Sequence, residues 1–150
     1  MVQRVLIIAG PTASGKSALA IALAKQFSGV IINADSMQVY KQIKVLTARP
    51  TSKDLQQAAH RLYGILNADD PCSVGRWLDL AIVEIRAAWV DGKLPVIVGG
   101  TGLYLKALLE GLAPIPHIPH DMRKKAILHH QMLGGVLFRQ ELAEIDAESA

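Results

Sequence analysis

Cysteine is almost missing from this chain. A single Cys72 cannot close an internal disulfide, which excludes the disulfide-stapled class of small secreted domains and fits a reducing compartment. Long apolar runs are missing too. The longest, Val5 to Ala9 and Leu94 to Val98, fall far short of the roughly 18 residues that a membrane-spanning helix needs. The N-terminal apolar stretch runs straight into a glycine loop with no small-residue cleavage pattern, so no secretory signal is read there. Aromatic residues amount to 5% and charged residues to 19%, against 51% hydrophobic. That balance excludes intrinsic disorder and leaves aliphatics and alanine to fill the core. Neither sign of charge dominates: 16 basic against 13 acidic residues give +3, which permits an anionic partner without demanding one. The expectation is a cytoplasmic protein with no membrane contact, and 150 residues suit the bulk of one domain.

What is present alternates strand and helix. Arg4 to Ala9 is a buried apolar strand bounded by Gly10-Pro11, and Ser17 to Phe27 is alanine- and leucine-rich helix ending at Gly29. Gly29 to Asn33 reads as a second strand and Thr51 to Leu66 as a helix. Ser73 caps a long helix to about Asp91, stopped by Gly92. Leu94 to Val98 is a third strand, and Leu103 to Leu109 a helix stopped near Gly111. This order predicts an α/β fold with a parallel sheet flanked by helices. After Gly111, Pro114, Pro116 and Pro119 mark a linker. Asp121 to Leu133 and Val136 to Ile145 then read as an αα-hairpin around Gly134-Gly135.

The strongest signal is Gly10-Pro11-Thr12-Ala13-Ser14-Gly15-Lys16-Ser17, a full match to the G-x-x-x-x-G-K-[ST] phosphate loop. Glycines let successive backbone N–H groups curl inward onto phosphate oxygens, and the following helix adds its positive N-terminal end. Lys16 supplies a mobile charge, and the Ser17 hydroxyl can reach Mg²⁺. The motif also sits after a buried strand and at the start of a helix, as the chemistry requires. Common nucleotide hydrolases pair such a loop with a strand ending in a Mg²⁺-holding acid. Here the third strand ends in Gly99-Gly100-Thr101-Gly102 instead. That disfavours a nucleoside-triphosphate motor and favours a transferase acting on a phosphorylated donor.

Ligands of a parallel sheet gather outside the carboxyl ends of its strands. The phosphate loop, Asp35 to Tyr40 and Gly99 to Tyr104 are therefore expected to converge. Asp35 offers a carboxylate that can accept a proton, and Gln38 an amide that can pair with an adenine edge. The plainer alternative is that Asp35 and Ser36 only cap a turn. Thr101 is placed to bind a phosphate or leaving oxygen, or else marks a tight strand-to-helix turn. Tyr104 reads as packing and Cys72 as a structural thiol. Lys41, Lys44, Arg49, Lys53, Arg123, Lys124 and Lys125 either track an RNA backbone or form a solvated face. Neither His117 with His120 nor His129-His130 has a convincing metal spacing.

Together, GPTASGKS at 10–17, NADSMQVY at 33–40, TARPT at 47–51 and VGGTGLY at 98–104 resemble the tRNA dimethylallyltransferase family, also called tRNA isopentenyltransferases. The similarity is strong over about residues 4–112 and weaker through the linker and Leu142 to Asp146. The resemblance implies transfer of a dimethylallyl group from dimethylallyl diphosphate to N6 of an adenosine beside the tRNA anticodon. It implies a P-loop NTPase-like core over 1–113, with the linker and start of an inserted helical domain over 114–150. By the same resemblance, Asp35 is the general base and Gly10 to Ser17 hold the diphosphate, with Ser17 on Mg²⁺. Asp35, Ser36, Met37, Gln38, Thr101 and Arg123 face the tRNA, with Thr101 also on the bridging oxygen of the leaving group and Lys16 on the phosphates.

This sequence departs from many members at Lys44-Val45-Leu46, where they carry Asp-Ile-Gly. Family chains run about twice as long, so the chain is expected to be a truncated, monomeric portion with weak or no catalysis alone. Two alternatives stand beside this one: a small-molecule kinase with ATP in the loop, and an inactive phosphate- or RNA-binding module.

Overall fold

Short β-branched segments, each too brief to bury itself alone, pair side by side in the computed structural model, which describes residues 3–113, 116 and 118–150. Pro114 and His117 lie outside the described residues. In chain order the elements are β1 (Leu6–Ala9), α1 (Lys16–Gln26), β2 (Gly29–Asn33), α2 (Ser52–Gln57), β3 (Ala59–Arg61), α3 (Val74–Val90), β4 (Leu94–Gly99), α4 (Gly102–Glu110) and α5 (His120–Ile145). The four strands form one sheet in the order β1-β4-β2-β3, and every pairing is parallel, as expected.

Side chains of a strand alternate between faces, so a parallel sheet covered on both sides needs apolar residues throughout. Ile31 and Ile32 illustrate this. Ile32 joins Val30 and Ile97 against Trp77, Ala81 and Ile85 of α3 and Tyr104 and Leu105 of α4. Ile31 joins Ile8, Val96 and Val98 on the opposite face, against Ala20 and Ala24 of α1. The small alanines let α1 lie close to the sheet. Trp77 is wholly buried and stacks on Tyr104 with centroids 4.4 Å apart. Tyr104 is thus a packing residue, as read from the sequence. Truncating a buried indole of this kind to alanine costs about 3–5 kcal/mol.

One expected helix is cut short. Thr51 to Leu66 begins helically, with a reciprocal cap between Thr51 and Asp54. After Gln57, however, the chain turns extended and pairs Ala59, His60 and Arg61 with Val30, Ile31 and Ile32. The open edge of β2 outweighs local helix propensity, and the sheet gains a fourth strand. Leu62 then takes a left-handed φ of 62°, and Leu62 and Leu66 enter the core while Leu55 stays exposed.

The chain divides into two compact units at Leu112 and Ala113. In the second, α5 is broken at Gly134 (φ 75°, ψ 163°) and buries none of its described residues. His129 Nε2 lies 3.4 Å from the Glu141 carboxylate, and Phe138 meets both His129 and His130 edge-on. On a straight helix, residues 129 and 141 would stand about 18 Å apart along the axis. The chain therefore folds back at Gly134 into the expected pair of helices. Among the described residues, no helix is long and apolar enough to cross a membrane.

Candidate active site

The carboxyl edge of the sheet gathers the polar residues. After β1, the phosphate loop curls through Ala13 (φ 62°) and Gly15 (φ 85°), a conformation that glycine adopts without a Cβ penalty. Gly15 is the N-cap of α1 and supplies no capping side chain, and the first turn of α1 carries no acidic residue. Its N–H groups and positive helix end thus stay uncompensated by the protein. Lys16 folds over the loop, its Nζ donating to the Pro11 carbonyl and lying 3.4 Å from Ser14 Oγ.

The loop forms one wall of a cleft of about 410 Å³. Thr12 to Ala18 line that wall, Asp35, Met37 and Gln38 the next, and Leu46 to Ala48, Tyr63 and Val98 to Gly100 the remainder. The three loops therefore converge as expected, although Ser36 and Thr101 are not among the residues that line this cleft.

A buried amide holds the second loop. Asn33 is fully buried; its Nδ2 donates to the carbonyls of Asp35 at 2.9 Å and Leu62 at 3.1 Å, and its Oδ1 accepts from the Asp35 N–H at 2.9 Å. Trp77 Nε1 donates to the Asn33 carbonyl at 2.8 Å. Asp35 accepts the Met37 N–H on Oδ1 at 2.9 Å, so the turn-capping reading is true of one oxygen. Among the described residues its second oxygen takes no hydrogen bond.

The third loop latches onto the second. The Ser36 N–H donates to Thr101 Oγ1 at 2.9 Å, the Thr101 N–H to the Ala34 carbonyl at 3.2 Å, and the two hydroxyls lie 3.4 Å apart. A Cβ on Gly99 would stand 2.1 Å from the Ala34 oxygen, so only glycine permits this approach. Gln38 Nε2 donates to the Thr47 carbonyl at 2.9 Å, tying in the Leu46–Ala48 wall.

A family model described as IPP transferase matches residues 38–150, and one described as isopentenyl transferase matches residues 3–69. The chain belongs to the IPP transferase family. The tRNA dimethylallyltransferase of Paramagnetospirillum magneticum is 52% identical over 141 residues, covering 94% of this chain and 45% of its relative. The crystal structure of the tRNA isopentenylpyrophosphate transferase from Bacillus halodurans superposes with a TM-score of 0.73 at 32% identity, over 99% of this chain and 49% of that one. A eukaryotic dimethylallyltransferase acting on tRNA gives a TM-score of 0.80 at 27% identity, over 98% and 37%. The chain spans about half the length of the curated relatives it matches.

Two groups of this site, Asn33 and Tyr63, carry no role in the sequence reading, and a third, Arg49, takes a different one. Asn33 looks like the last residue of a strand, and its partners lie 29 and 44 residues away. Tyr63 falls in the segment read as helix. Burial, and secondarily the Asp35 carboxylate, raise its phenol well above the ordinary tyrosine value, so it stays protonated. Arg49 reads as an RNA contact or a solvated charge, yet its Nη1 donates to the carbonyls of Tyr40 at 2.9 Å and Lys41 at 3.3 Å, bracing the loop behind Gln38. The signal for Asn33 was available: an amide closing an apolar strand needs buried partners. Arg123 stands exposed in the first turn of α5, in the second unit.

Proposed function

We propose that this chain serves transfer of a dimethylallyl group from dimethylallyl diphosphate to N6 of an adenosine beside the anticodon of tRNA, in the cytoplasm and as a monomer. The observation that carries this reading is the shared cleft, which brings Asp35 to the same cavity as Lys16, Ser17 and the phosphate-loop backbone. The amine N6 attacks C1 of the allylic donor, the C1–O bond breaks, and diphosphate leaves with the bonding electrons. The displaced N6 proton passes to the unpaired oxygen of Asp35, whose other oxygen is tied to Met37.

Gly10 to Gly15, Lys16 and Ser17 hold the diphosphate and offset the charge that builds on it. Thr101, already aligned by Ser36, turns its hydroxyl toward the bridging oxygen. Ser36, Met37 and Gln38 form the tRNA side, with Gln38 oriented by Thr47 to read the adenine edge. Arg123 supplies a further basic contact to tRNA. The target base must leave its stack to reach this cleft.

Among the described residues, no cluster of three or more His, Cys, Asp or Glu forms a metal cage. Mg²⁺ habitually takes most of its oxygens from phosphate and water, so the hydroxyl of Ser17 beside a bound diphosphate fits it. When bound, the ion neutralises charge on the leaving diphosphate. The kinase alternative has no support: β4 ends in Gly99, and the Gly100-Thr101-Gly102 that follows brings no acid to the strand end.

Asp35→Asn in the full chain is the test. Prenyl transfer to an anticodon stem-loop should fall at least about a hundredfold, while pyrophosphate binding persists. Unchanged turnover would remove Asp35 from the role of base.

A further inference from the structure

The strands of the sheet deliver residues to the site at a constant step. Asp35 stands two residues past the end of β2, Thr101 two past β4, and Tyr63 two past β3. Tyr63 alone has no part in the reaction above. It nevertheless lines the phosphate cleft together with Asp35, Lys16 and Ser17. It also lines a second cavity of about 140 Å³, again with Ser17 and Ala18, which sets the phenol against the first turn of α1. The ring is held by the apolar face under α1 and by an edge contact with His60, centroids 5.5 Å apart. Among the described residues the hydroxyl takes no hydrogen bond. No fully buried polar side-chain atom among the described residues lacks a partner, so this hydroxyl is not sealed in the core, and the cavities that Tyr63 lines are where it can meet a ligand.

We propose that the Tyr63 hydroxyl is a substrate-binding group, donating a hydrogen bond to a phosphate oxygen of the ligand held by the Gly10–Ser17 loop. The inference rests on the phosphate reading given above and adds a contact to it. A neutral donor suits this place. A cationic side chain beside Asp35 would pair with the carboxylate and suppress its basicity, whereas a phenol donates to an anion and leaves that charge intact. Because the phenol stays protonated, the donor is present across the whole working pH range.

The test is titration calorimetry of the full chain with inorganic pyrophosphate in Mg²⁺ buffer, comparing wild type, Tyr63→Phe and Lys16→Ala. Tyr63→Phe removes one oxygen and keeps the ring. It should weaken pyrophosphate binding roughly tenfold, the range of one hydrogen bond to a charged group. It should also raise KM for the allylic donor while leaving KM for the RNA and the thermal midpoint unchanged. Lys16→Ala should lose pyrophosphate binding altogether. Unaltered affinity in Tyr63→Phe, with binding lost in Lys16→Ala, overturns the tyrosine contact and leaves the phosphate reading standing. Retained affinity in Lys16→Ala overturns both. A Tyr63→Phe variant with a lowered midpoint and equally raised KM for donor and RNA shows a purely structural phenol and also overturns the proposal.

Discussion

Helices α2 and α3 close their own first turns, whereas α1 and α4 leave theirs open. Thr51 Oγ1 accepts the Asp54 N–H at 3.3 Å, Asp54 returns the bond to the Thr51 N–H at 2.8 Å, and Ser73 Oγ accepts the Arg76 N–H at 3.2 Å. Neither Gly15 before α1 nor Thr101 before α4 caps its helix with a side chain. Gly15 has none to give, and the Thr101 hydroxyl is turned to Ser36 instead. Within the first unit, the two open helices are those joined to a strand by a short glycine-containing loop at the carboxyl edge of the sheet. A capped N-terminus contributes to stability; an open one keeps its N–H groups for an anion. The same local feature thus separates helices that serve the fold from helices that serve the cleft.

Substitutions at the four N-termini can break this division. The largest effect is expected for Lys16→Ala, with prenyl transfer down about a hundred- to a thousandfold and a urea midpoint little changed, since the side chain packs no core. A large loss of stability there would place Lys16 among structural residues. Thr101→Val should act on both sides of the division. It leaves the Ser36 N–H without its acceptor, costing about 1–2 kcal/mol in denaturant melts, and slows transfer roughly tenfold in single-turnover assays. Ser73→Ala should cost about 1 kcal/mol and leave transfer untouched; a slowed reaction would blur the contrast.

The smallest effect is the pH-dependent part of Thr51→Ala, beyond the loss of the cap itself. Hydrogen bonds from Thr51 hold the Asp54 carboxyl below its ordinary value. A carboxylate lowered in the folded state adds stability above its unfolded value of about 4 and loses it as pH falls through the folded one. Solvent exposure keeps that increment to a few tenths of a kcal/mol. The gap in thermal midpoint between wild type and Thr51→Ala should be widest at pH 7 and narrow below pH 4 to the part left by the lost Asp54 N–H cap.

What was legible in the sequence follows from how local each feature is. The phosphate loop is contiguous, and its backbone geometry follows from glycines at fixed spacing, so Gly10 to Ser17 could be read directly. Asp35 and Thr101 were legible by one added rule, that a parallel sheet gathers ligands at its carboxyl edge, and they do meet through Ser36. β3 was not legible, because the residues that make Ala59–Arg61 extended belong to β2. Tyr63 was hidden with it. Arg49 fits neither of the two readings open to it, an RNA contact or a solvated face: its guanidinium is engaged with the carbonyls of its own loop.

Asn33 gives the site a dynamic signature. Its amide group joins the Asp35 backbone to the Leu62 carbonyl, while its own carbonyl receives Trp77, so these segments cannot loosen one at a time. In hydrogen exchange the Asp35 amide should open together with those of Ile31 and Ile97 in the central strands, on the timescale of whole-sheet unfolding. The phosphate-loop amides on the neighbouring wall of the cleft should exchange orders of magnitude faster. The cleft would then pair a slow anvil that carries the proposed base with a fast cradle that would admit the anion.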